Sequence, residues 1–286
     1  MNSYINRYIK STSDIEEKLC SKEINDKNYT CNFFKQCSSS INFYNRMNDD
    51  MLKHLIRISF DDKINHKEIL TVIKSDYLFH ESIFTTNFND EMKEFKVNAE
   101  EIFKLENIFI SGNIIINSLQ IREGIIVNGF DVNFIVDNEK ELLVKIDKIK
   151  KLFNDKQLLS EFKIDNYYYV LFRKHYIRFN LKMYPSKTAI LYDMDCSDMF
   201  RFVYDGVELS STEGTIIAWC NRTQIVDLDR INNDILNSII YGQYLGFCIY
   251  INNNNINDSS DTSTIVNNLK FKNIENYLNK KDIKYF

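Results

Sequence analysis

Proline occurs once and glycine seven times in 286 residues, while Asn, Lys, Ile and Tyr are heavily used, the usage of an AT-rich genome. No run of 18 apolar residues occurs, which excludes a helix that spans a bilayer. The opening stretch, MNSYINRYIK, lacks an apolar h-region. No secretion signal and a cytoplasmic location are therefore expected. None of the six cysteines forms a CxxC pair, so reduced thiols are expected rather than a disulfide framework. Cys20, Cys31 and Cys37 are spaced by eleven and six, unlike the common zinc modules. The four histidines form no HExxH pair, and no GxGxxG, GxxxxGK[ST] or GxSxG is present. A strongly basic balance is missing too. The net charge is -4 and the pI about 5.7, which argues against non-specific nucleic-acid binding. The one basic cluster, Arg173, Lys174, His175 and Arg178, reads as a solvated strand edge.

What is present is ordinary globular material, 44% hydrophobic and 27% charged, rich in the Ile, Phe and Tyr that favour strands. Three regions are expected. Residues 1–95 form a helical N-terminal module, irregular over 1–45 and helical over 48–86, with a short third helix near 76–84. Residues 96–250 form a mixed domain. Residues 251–286 are a polar linker and tail, beginning INNNNINDSSDTS. Within the middle region, 98–107 suggests a helix, 108–110 a short apolar strand, and Ser111-Gly112 a tight turn. FDVNFIV (130–136) alternates as a strand, and 138–153 is amphipathic, with Leu142, Val144, Ile146, Ile149 and Phe153 inward. Residues 166–172 and 175–184 read as antiparallel strands across Arg173-Lys174. Residues 186–195 give a helix or strand, 199–209 a strand ending at Asp205-Gly206, and 212–219 and 232–245 helices. Tyr167, Tyr168 and Tyr169 read as half core and half surface, and Trp219 as core. The fold class is α+β: a mixed sheet flanked by helices.

One constellation carries chemistry. Nucleotidyl transfer needs a small-residue turn that lets backbone N–H groups approach a triphosphate. It also needs a strand with carboxylates at i and i+2 on one face to hold Mg²⁺, and a third acid from a neighbouring strand. FISGNIIINSLQ followed by FDVNFIV has that layout. It resembles the nucleotidyltransferase signature, with Ser111, Gly112 and Asn113 at the turn, Asp131 at the first carboxylate and Asn133 where the second is expected. On the strand 175–184 the inward positions are Arg178 and Asn180, or Ile177 and Phe179, none acidic, so Asp193 and Asp195 are the candidate third acids. Downstream, Tyr192-Asp193-Met194-Asp195, Tyr204-Asp205-Gly206 and Tyr244-Leu245-Gly246-Phe247 resemble segments of nucleotidyltransferase-fold proteins of large DNA viruses and some eukaryotes. The resemblance covers about 105–250.

That resemblance implies a nucleotidyltransferase-like mixed sheet. Asp131, Asn133, Asp193 and Asp195 would be the catalytic set, Ser111, Gly112 and Asn113 the nucleotide-binding turn, and Asp131 with Asn133 the ligands of Mg²⁺ in an active member. Asn133 brings no charge, so the expected function is a degenerate, non-catalytic or weakly active member acting through binding. The alternatives are an active Mg²⁺-dependent transferase using an NTP, and an interaction protein. For the last, Met51, Leu52, Leu55, Ile56, Ile69, Val72, Ile73 and Phe79 resemble the apolar positions of an F-box, implying a protein partner. A bound nucleotide is the other expected partner, and no membrane is.

Overall fold

The computed structural model describes residues 30–39, 80–119, 129–153, 158–172, 175–194, 196–221, 223–226, 235, 238–239, 241–242, 245 and 247–251. The F-box-like stretch to residue 79, the Arg173-Lys174 turn, Asp195 and nearly all of the C-terminal tail lie outside them.

The architecture is mixed α and β, built on one eight-stranded sheet in the order β1-β8-β7-β2-β3-β6-β5-β4. In chain order the elements are β1 (Cys31–Asn32), α1 (Phe33–Ser39), α2 (Glu81–Glu94), α3 (Ala99–Phe103), β2 (Ile108–Ser111), α4 (Asn113–Leu119), β3 (Gly129–Ile135) and α5 (Glu139–Leu152). There follow β4 (Leu158–Ile164), β5 (Tyr167–Phe172), β6 (Tyr176–Tyr184), α6 (Lys187–Asp193), β7 (Phe202–Tyr204), β8 (Leu209–Ser211) and α7 (Glu213–Asn221). A separate parallel pair joins β9 (Thr223–Val226) to β10 (Cys248–Ile251). At the centre of the large sheet β3 runs parallel to β6, and β2 pairs antiparallel with β3.

Alternation along the strands sorts side chains onto two unlike faces. Ile108, Ile110, Phe130, Val132, Phe134, Ile177 and Phe179 point to one face and join the main core with α2, α4, α5 and α7. Aromatic rings dominate that core. Trp219 is fully buried edge-on to Phe33, Phe202 and Phe247, and its Nε1 donates to the Met199 carbonyl at 2.7 Å. The other face carries Phe109, Ser111, Asp131, Asn133, Arg178 and Asn180. There a smaller apolar cluster forms around α6, with Phe109, Tyr184, Ile190, Leu191 and Val203. The helices begin where their sequences can cap them. Asn138 accepts from the Glu141 amide and Ser186 from the Ala189 amide, which satisfies free N–H groups of the first turn.

Four expectations need correction. Residues 31–39 are not irregular: β1 pairs with β8, and Phe33 buries itself in the core. The helix expected near 76–84 is α2, which runs on to Glu94 because Phe84, Phe88 and Met92 repeat at helical spacing. Val144 is 44% exposed, so Leu142, Ile146 and Ile149 carry the inward stripe of α5, with Phe153 buried just past its end as expected. The strand expected to end at Asp205-Gly206 does so as β7, but it begins only at Phe202, behind a 3-10 turn (Asp198–Phe200), and the Asp205-Gly206 turn leads into a second strand, β8. The two strands are reversed where Asp205 Oδ1 accepts from the Val207 and Glu208 amides and Gly206 takes φ +92°. Among the described residues, no helix is long and apolar enough to cross a membrane.

Candidate functional site

The second face of the sheet opens into a cleft of about 370 Å³. Its floor is set by β2, the turn after it and β3. Ser111 is the cross-strand partner of Asp131, and Phe109 of Asn133. The chain then turns at Gly112, with φ +91°, into α4. A Cβ at Gly112 would lie 3.3 Å from Asp131 Oδ2, so the absent side chain is what admits the carboxylate to the turn. The structure thus brings Ser111, Gly112, Asn113, Asp131 and Asn133 to one mouth. Asp193, at the end of α6, lines the same cleft.

The position facing Asp131 on β6 is Arg178, not an acid. Its Nε and a terminal nitrogen each donate to one oxygen of Asp131 at 2.7 Å, a two-pronged pair. The guanidinium also lies 4.5 Å from the Tyr167 ring centroid, within cation–π range. Burial works against its charge. The neighbouring carboxylate and hydrogen bonds outweigh burial and hold its pKa above the ordinary value. The basic cluster of the sequence is therefore not simply a solvated strand edge, because Arg178 is built into the cleft floor.

Asn133 and Asn180 repeat the arrangement one step along. Asn133 Nδ2 donates to Ser111 Oγ at 2.9 Å, and Asn133 Oδ1 accepts from Asn180 Nδ2 at 3.3 Å. Asn180 Nδ2 also reaches Tyr184 Oη at 2.7 Å, and that hydroxyl donates to Asp193 Oδ2 at 2.6 Å. Lys182 Nζ bonds both oxygens of Asp193, at 2.9 and 2.7 Å. A continuous chain of hydrogen bonds thus runs from Ser111 to Lys182. Burial first, and then the Asp193 carboxylate it donates to, raise the Tyr184 pKa, so the phenol stays protonated. Tyr176 is pushed up to about 12, by burial and then by Asp131.

Each carboxylate described in the cleft is therefore matched by a cation. Mg²⁺ takes near-octahedral oxygen donors, keeps several waters and is anchored by one or two carboxylates together with substrate phosphates. Here both oxygens of Asp131 are held by Arg178, the Asn133 oxygen accepts from Asn180, and Asp193 is held by Lys182 and Tyr184. This donor set does not fit a divalent cation. Among the described residues, no group of three or more His, Cys, Asp or Glu is placed to hold one.

Arg178 and Asn180 as cleft residues carried a signal in the sequence. They sit 47 residues after Asp131 and Asn133 and share their i, i+2 spacing on a second strand. Lys182 and Tyr184 continue the same two-residue spacing along β6, so the alternation that marks Arg178 and Asn180 marks them as well. Compared with models of known protein families and with curated proteins, the chain matches none.

Proposed function

We propose that this chain is a non-catalytic protein of nucleotidyltransferase type, which uses its cleft to bind a ligand without metal. The order strand, glycine turn, helix, antiparallel strand, with β6 parallel to the strand bearing Asp131, supports the family reading. The observation that carries the loss of catalysis is the Arg178–Asp131 pair. A guanidinium stands within 2.7 Å of the carboxylate on which metal binding would depend, and it supplies the positive charge that a cation would bring.

The ligand class follows from the walls. Tyr167, Tyr176, Phe200 and Tyr241 line a cleft whose charges cancel in the pairs Asp131–Arg178 and Lys182–Asp193. Aromatic walls with matched charges suit an uncharged planar group better than a metal-bound triphosphate. Thermal unfolding of the full chain with nucleosides and with Mg²⁺–NTP separates the two. Stabilisation by a nucleoside, unaffected by chelator, is the expected result. Stabilisation by NTP that requires Mg²⁺ would restore the enzyme reading.

A further inference from the structure

Among the described residues the sheet is closed at neither end, and its β4 end exposes several large apolar side chains. Among the described residues β4 pairs on one side only, with β5. Edge strands are normally short, charged or kinked to prevent pairing with another chain. Here LLSEFKI exposes Leu158, Leu159, Phe162 and Ile164, the last 51% and Leu159 61% exposed. Its one irregularity, a register shift between Leu158 and Ser160, lies at the start and leaves Ser160–Ile164 regular.

The strand is also self-complementary. Phe162 is flanked by Glu161 and Lys163; Glu161 Oε2 is bonded within the chain by Lys150 Nζ at 2.7 Å and by the Tyr168 hydroxyl, so it is Oε1 that would accept from a second copy. In an antiparallel pair of two copies centred on Phe162, each Glu161 faces the other copy's Lys163, and Phe162 faces Phe162. Centring on Glu161 or Lys163 would instead oppose like charges, and a shift by one residue would turn the faces against each other. We infer that β4 is the self-association edge of this protein, joining two copies antiparallel through Ser160–Ile164 into one continuous sheet.

The contact would lie in line with the cleft. Ser111, Asp131, Arg178, Tyr169 and Phe162 are successive cross-strand partners, and Phe162 stacks on Tyr169 at 5.0 Å with rings 10° apart. A pair centred on Phe162 therefore places both clefts on one face, at equal distance from the joint.

Sedimentation of the full native chain is expected to show a dimer. Lys163→Glu and Glu161→Lys should each weaken it by about tenfold or more, since each turns two attractions into repulsions, the second also removing the pair of Glu161 with Lys150 inside each copy. Mixing the two variants should recover native affinity, because every facing pair is then opposite in charge. Phe162→Cys, on the symmetry axis, should cross-link under mild oxidation, at a Cα separation that pairing strands and a disulfide share. Trp219 fluorescence checks that each variant is folded. A native chain that is monomeric at every soluble concentration would overturn the inference. So would a dimer indifferent to both charge changes, or β4 amides protected from hydrogen exchange at high dilution, which would mean that the chain covers its own edge.

Discussion

Arg178→Met is the most informative perturbation, because it keeps an unbranched apolar stem and removes the guanidinium that pairs with Asp131 and lies over Tyr167. Asp131 is then left as a 17% exposed carboxylate with no cation. Removing one partner costs about 3–5 kcal/mol in a fully buried pair and about 0–1 kcal/mol at an exposed one. With the Arg178 side chain 33% exposed, this pair lies between those limits. A loss of about 2 kcal/mol follows, a fall in Tm of about 4–8 °C for a domain of this size. Asp131→Asn leaves the guanidinium unpaired instead, and the double variant should lose less than the sum of the two. The coupling, read from denaturant unfolding followed by the single Trp219, is expected at about 1–2 kcal/mol. A coupling below about 0.3 kcal/mol would refute the pairing as a feature of the folded cleft.

Other outcomes follow from the same geometry. Gly112→Ala must hold φ near +91° and bring a Cβ within 3.3 Å of Asp131. A stability loss of about 1–2 kcal/mol is expected, measured by the same unfolding. Asp205 is held below the usual carboxylate range: burial raises its pKa, but the bonds from Lys187 and from the Glu208 and Val207 amides outweigh it. Its folded pKa is thus below its unfolded one. The stability it contributes is full above the unfolded value of about 3.9 and is lost as pH falls through the folded value. Asp205→Asn should lower stability at neutral pH and flatten the acid limb of the pH profile; an unchanged limb would remove Asp205 as its source.

What could be read from the sequence was what burial writes into a periodic pattern. The turn after β2 was marked by its small residues; β3 alternates apolar Phe130, Val132 and Phe134 with polar Asp131 and Asn133, and α5 buries one stripe, so alternation or helical spacing marked them. The same holds for the β5–β6 hairpin, whose strands present Ile177 and Phe179 inward and Arg178 and Asn180 to the cleft. β4 went unseen because nearly all of its residues are exposed, so no face of it repeats. β1 and α1 went unseen because they are anchored by partners distant in sequence: β8 for the strand, and Trp219 and Phe202 for Phe33. In the candidate site, the turn and Asp131 were legible as a local motif. Their neutralisation by Arg178 was not, since it is set by the register of two strands 47 residues apart. Asp193 was expected as the third acid for a metal, and its partners are Lys182 and Tyr184.

Binding of Mn²⁺, followed by its paramagnetic resonance, tests most directly whether Asp131 is available to a cation. Native chain should leave the ion free at millimolar levels, and Arg178→Met should bind it at least about tenfold more tightly, because the competing charge is gone. Native binding that disappears with Asp131→Asn would contradict the claim, because the carboxylate would then be holding metal with Arg178 in place.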